Sequence, residues 1–122
     1  MSNAKKLDLE NRLIDFSVRI IQVTEALPDK KTGKHISTQL LRSGTSPAAN
    51  YAEAQSAESK ADFVHKIKVV LKELRETKVW LKMIVPSQLL SGNTRLNPLF
   101  QENDELISIF VKSEKTAKNN SQ

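Results

Sequence analysis

Apolar positions follow a helical spacing along the whole chain. Leu9, Leu13, Phe16, Ile20, Val23 and Leu27 step by 4, 3, 4, 3 and 4 residues, which stacks them on one helix face. Asp8 stands ahead of them as a candidate N-cap. Pro28 closes the segment, because the residue before a proline is steered out of the helical region. After the polar connection Asp29 to Gly33, DKKTG, Thr32 is placed to cap a second helix. Its apolar face carries Ile36, Leu40, Pro47, Tyr51 and Ala54. An interior proline removes a backbone hydrogen bond and crowds the preceding turn, at about 3 kcal/mol. A bend from Ser43 to Pro47 is therefore expected. The third pattern is the cleanest: Phe63, Ile67, Val70, Leu74, Thr77, Leu81 and Ile84 alternate by 4 and 3, opened by Ser59 and Asp62 in a variant capping box. Pro86 and the polar stretch Ser91 to Asn97 end it. Asn97-Pro98, a cap followed by proline at the first helical position, starts a fourth helix carrying Leu99, Asn103, Leu106, Phe110 and Ala117.

Four helices over about 8–27, 33–55, 60–85 and 98–117 follow, with no strand-like alternation between them. The fold class is all-α, an antiparallel four-helix bundle in up-down-up-down order. At 122 residues the chain holds one domain, expected over 5–118. Met1 to Ala4, MSNA, reads as an expression scar, and residues 119–122 read as a frayed tail.

Composition narrows the function. There is no Cys, which removes disulfides, thiolate metal sites and cysteine nucleophiles, and is compatible with a reducing cytoplasm. No apolar run approaches the roughly 18 to 20 residues of a membrane span, so no membrane partner is expected. Lys and Arg exceed Asp and Glu by 19 to 14, a net charge of +5, which favours acidic partners with nucleic acid foremost.

The second helix carries a polar stripe beside its apolar one. Arg42, Ser46, Asn50 and Glu53 recur at intervals of 4, 4 and 3 and share a face. Three readings stand: solvated surface; a structural network in which Arg42 reaches Glu73 or Glu76 while Ser46 and Asn50 satisfy backbone groups loosened by Pro47; and, last, a catalytic role. Nothing there pairs a nucleophile with a base.

The order of LLRSGTS, ANYAEAQ, ESKADF and KELRETKVWL resembles the four-helix bundle family of 23S rRNA intervening-sequence proteins, or S23-type proteins, from about Leu13 to Lys118. Members are small cytoplasmic bacterial bundles, some encoded within insertions in ribosomal RNA genes, whose molecular role is mostly unassigned. Similar relatives are accessory proteins of diversity-generating retroelements, pentameric rings with a basic surface that bind nucleic acid and a reverse transcriptase. The resemblance implies a homopentamer and RNA or DNA binding. Glu53-Ala54 stands where the family often has Glu-Gly, and Tyr51 where an aliphatic residue is common.

Helix 3 carries the strongest candidate for contact with a polyanion. Lys68, Lys72, Arg75 and Lys82, with Lys78 at the margin, fall on an arc of roughly 120° opposite the core stripe. Lys68–Lys72 and Lys78–Lys82 are like-charge i,i+4 pairs, which mildly destabilise a helix. The plainer reading is a solvated lysine-rich face. The functional one is phosphate contact, weakly sequence-selective because no aromatic residue interleaves for base stacking. Val69, Trp80 and Met83, with Glu73 and Glu76, form a flank suited to packing within the bundle or to a subunit interface. Asp62-x-x-His65 has the spacing of half a carboxylate-bridged di-iron motif, but the second copy is missing, since Thr32 precedes His35 at that offset. No phosphate-cradling loop, zinc cluster or hydrolase elbow is present. The expectation is a non-enzymatic protein without metal or cofactor, either a nucleic-acid-binding accessory or a scaffold that docks a protein partner.

Overall fold

A computed structural model describes residues 3–90 and 96–120. It contains four helices, α1 (Asn3–Ala26), α2 (Lys31–Ala54), α3 (Lys60–Ser87) and α4 (Asn97–Asn120), and no strand among the described residues. Of the expected features, part of the scar (residues 1 and 2), most of the polar connection before α4 (residues 91–95) and the end of the tail (residues 121 and 122) lie outside the described residues.

The periodic stripes form the core. Leu13, Phe16 and Ile20 from α1, Leu40 from α2, Ile67, Val70, Leu74, Leu81 and Ile84 from α3, and Leu106 and Phe110 from α4 have no exposed surface. Thr77 and Asn103, polar residues at stripe positions, are equally buried. Each finds a backbone acceptor: the Thr77 hydroxyl donates to the Glu73 carbonyl of its own helix at 2.8 Å, and the Asn103 amide of α4 donates across to the Leu74 carbonyl of α3 at 3.3 Å. Leu71, off the α3 stripe, is also buried. α2 remains one helix through Pro47, which is itself buried.

Cross-helix hydrogen bonds pair rising with falling residue numbers. Ser17 Oγ donates to the Gly44 carbonyl at 3.0 Å, and Ser37 Oγ donates to the Thr24 carbonyl at 3.2 Å. Thr77 and Ser43 hydroxyls meet at 3.0 Å between α3 and α2. Arg12 grips Glu102 with two hydrogen bonds of 2.7 Å between α1 and α4.

Helix ends differ from the expected ones. α1 begins at Asn3, so Asp8 lies inside it and caps nothing. Upstream of the stripe the helix is held to α2, where the Tyr51 hydroxyl donates to the Lys6 carbonyl at 3.4 Å. Thr32 does not cap α2; Lys30 holds the extended N-cap conformation without a side-chain cap. The chain turns early, with the Lys30 N–H bonded to the Pro28 carbonyl at 2.9 Å. Gly33 permits this close return, since a Cβ there would meet the Pro28 oxygen at 2.0 Å. At α3 the Ser59 hydroxyl accepts from the Asp62 N–H at 3.0 Å, as a capping residue does. Pro86 lies within the last turn of α3, and the stop comes at Gln88, whose φ of 59° is left-handed.

Candidate nucleic-acid interface

The α3 stripe faces inward, so the opposite side of α3 faces out. Lys68, Lys72, Arg75 and Lys82 are all exposed there. Among the described residues none of the four has an ion-pair partner within 4.0 Å. Lys78 differs: it is half-buried, and its Nζ lies 2.7 Å from Asp104 Oδ1 of α4. Glu114 of α4 faces the N-terminal half of the ridge. Its carboxyl is held below the usual Glu range, first by the hydrogen bond from Lys118, then by the charges of Lys118, Lys68 and Arg75 against opposing desolvation. Val79 and Met83 are 49% and 45% exposed, so aliphatic surface interrupts the ridge towards its C-terminal half.

The polar stripe of α2 lies along the α2–α3 seam. Arg42 Nη1 donates to Glu73 Oε2 at 3.0 Å, and Arg42 Nη2 bonds Glu76 Oε2. The Glu73 side chain is only 10% exposed, whereas that of Arg42 is 49% exposed. Asn50 Nδ2 donates to the Ser46 carbonyl at 3.0 Å and the Ser46 hydroxyl at 2.8 Å, beside the turn that Pro47 deprives of a backbone donor. Glu53 reaches Lys66 at 3.6 Å. Arg42 and Glu53 therefore join α2 to α3, while Ser46 and Asn50 bond each other within α2 and not the Ser43 carbonyl opposite Pro47.

On the flank of α3, Trp80 is half-buried, its Nε1–H donates to Glu76 Oε2 at 3.1 Å, and His35 meets its ring edge-on with centroids 5.9 Å apart. Val69 is half-buried as well, and Met83 alone of that trio is exposed. Asp62 accepts the Glu58 N–H at 3.2 Å within the α3 cap, while His65 points into solvent. Among the described residues no three His, Asp or Glu side chains gather closely enough to hold a metal ion.

The four-helix fold agrees with the comparisons. A family model described as 23S rRNA-intervening sequence protein matches residues 5–112. The chain belongs to that family. A crystal structure of a protein with unknown function from the S23 ribosomal protein family of Bacteroides thetaiotaomicron VPI-5482 is 30% identical, covering 91% of this chain and 98% of its own, with a TM-score of 0.82. No curated protein matches the chain. Neither finding for this S23-family protein names an activity.

Three features of the S23-family chain escape the sequence reading. Lys115 lies 11 residues beyond Asp104, three helical turns along the same face of α4, and is exposed. That placement puts it level with Lys68, since Asp104 pairs with Lys78, and so widens the basic surface onto α4. The second is the outer face of α1, where Leu7, Ile14, Val18 and Ile21 are 57%, 47%, 45% and 38% exposed. Their spacing of 7, 4 and 3 was visible in the sequence, but the inward stripe of the same helix dominates the pattern. Last, the Arg12–Glu102 pair joins residues 90 apart, for which local spacing carries no signal.

Proposed function

We propose that this protein is a non-enzymatic cytoplasmic member of its family that binds RNA or DNA without strong sequence preference. The carrying observation is the outward arc of Lys68, Lys72, Arg75 and Lys82, four exposed cations without an ion-pair partner among the described residues. Like charges one turn apart weaken an isolated helix, and phosphates alternating along a strand relieve that repulsion while releasing counterions. Lys115 extends the contact area, and Lys78, paired with Asp104, contributes least. Nothing aromatic stands on the arc, so contact is with backbone phosphate.

The working form is a homo-oligomer, a pentamer on the family resemblance. The apolar outer face of α1, with Leu41 exposed on the adjacent α2, supports a subunit contact, because contiguous exposed apolar surface marks interaction sites. Repeating the α3 arc around a ring makes weak phosphate contacts add. Val79 within the arc and Met83 beside it favour a second reading, a scaffold that docks an acidic protein partner carrying apolar side chains of its own.

Fluorescence anisotropy with mixed-sequence RNA and DNA at low salt tests the first reading. Binding that weakens linearly in log–log against salt supports it. Absence of binding, or a salt slope near zero, overturns it.

A further inference from the structure

The large apolar side chains left exposed among the described residues fall into two patches. One runs down the outer face of α1 as Leu7, Ile14, Val18 and Ile21, with Leu41 of α2 beside it, over about 21 Å at 1.5 Å per residue. The other is Val79 and Met83 on the outer face of α3. α1 and α3 each pack against α2 and α4, so they stand on the diagonal of the bundle and the two patches face different ways. One molecule cannot cover either patch with the other.

The charges around the patches are opposite in sign. Glu25 continues the α1 line one turn beyond Ile21, and Asp8 and Asp15 border it on the side away from α2. All three are exposed, and none has an ion-pair partner within 4.0 Å among the described residues. Of the neighbouring cations, Arg12 is bound to Glu102, Lys34 is paired with Asp29, and Arg19 is half-buried. On α3, Val79 lies one turn from Arg75 and from Lys82, both exposed and equally unpaired. Glu76, on the other flank of that patch, is already held by Arg42 and Trp80. Pairing α1 with α1 would crowd carboxylates together, and pairing α3 with α3 would crowd cations. Only α1 against α3 joins apolar surface while setting opposite charges side by side.

We propose that the outer face of α1 in one copy of this chain docks on the Val79–Met83 face of α3 in the next. The proposal rests on the homo-oligomer proposed above and gives that oligomer its two faces. The carboxylates bordering α1 meet Arg75 and Lys82 around a centre formed by the aliphatic side chains. An interface between two different faces is head-to-tail, so an end copy keeps one face free until a ring closes. Lys72 and Lys68 lie about two and three turns N-terminal of Val79, clear of the contact and open to phosphate.

Multi-angle light scattering of Val18→Glu, Val79→Glu and their equimolar mixture, against the parent protein, tests it. Both positions are exposed, and circular dichroism should show the helices intact. Each variant alone loses one face and should run as a monomer. In the mixture the intact α1 face of Val79→Glu meets the intact α3 face of Val18→Glu, and the mass should rise to that of a dimer and no further. Either variant running at the parent's mass would overturn the assignment and leave the oligomer to another contact. A concentrated mixture that stays monomeric, or grows beyond a dimer, would overturn it as well. A monomeric parent would overturn the oligomer itself, and this pairing with it.

Discussion

Gly44 lies so close to Ile20 that a methyl group has no room between them: a Cβ there would sit 2.5 Å from Ile20 Cγ2 and 2.9 Å from Cγ1. Ile20 is fully buried and β-branched, so it has no free rotamer into which to retreat. Alanine favours a helix over glycine by about 1 kcal/mol, whereas overpacking a tight core costs about 1–3 kcal/mol. Gly44→Ala is therefore expected to destabilise the protein by up to about 2 kcal/mol in urea unfolding, against the helix-propensity trend. Pairing it with Ile20→Val should recover part of the loss.

Arg42 and Glu73 form the most asymmetric pair in the α2–α3 seam, a half-exposed guanidinium on a carboxylate whose side chain is 10% exposed. Removing the arginine leaves the buried partner charged and uncompensated, while neutralising the glutamate leaves Arg42 bonded to Glu76. Arg42→Ala should lower stability by about 1–3 kcal/mol, the usual penalty for stranding a buried polar partner. Glu73→Gln should cost less. Equal midpoints for Arg42→Ala and the parent protein in denaturant would assign the pair to plain surface.

Much of this bundle was legible from spacing alone. A stripe such as Leu13–Phe16–Ile20 shows which face of its own helix is buried, because 3.6-residue periodicity is local. It does not show how deep each helix sits against its neighbour, and that vertical alignment is what brings Arg12 to Glu102 and Ser17 to Gly44. The start of α3 was legible because a side chain does the capping there. Ser59 does so; at α2 the early turn at Pro28 and the bare Gly33 decide instead, and Thr32 has no part in it. The α3 arc was visible as a row of cations, but the neutralisation of Lys78 by Asp104 required the placement of α4.

Glu114 makes stability sensitive to acid. Its folded pKa lies below the ordinary value of 4.5 because Lys118 hydrogen-bonds the carboxylate. A depressed carboxyl pKa contributes stability that is fully present above the unfolded value and lost as pH falls through the folded one. Thermal melts should show this contribution constant above about pH 5 and declining below about pH 4.5, the unfolded-state value. Glu114→Gln should flatten that part of the profile.

Ile14 and Val18 lie one turn apart on the exposed face of α1. If that face joins subunits, Val18→Glu places a charge in each contact and should give monomers in multi-angle light scattering. The helical circular dichroism spectrum should stay unchanged, because Val18 takes no part in the core of its own bundle. A parent protein that is monomeric at micromolar concentration would contradict the oligomer.

The nucleic-acid assignment rests on position as well as charge, and a comparison of variants with equal charge loss tests it most directly. Lys68→Ala/Lys72→Ala/Arg75→Ala removes three cations from the arc, and Lys30→Ala/Lys31→Ala/Lys34→Ala removes three exposed ones at the start of α2. Measured by anisotropy on one mixed-sequence RNA, the arc variant should lose most of its affinity, and its salt slope should fall by about 0.7 for each phosphate contact removed. The α2 variant should bind nearly as the parent does. Equal losses in the two variants, or an unchanged slope in the arc variant, would contradict a binding site on α3.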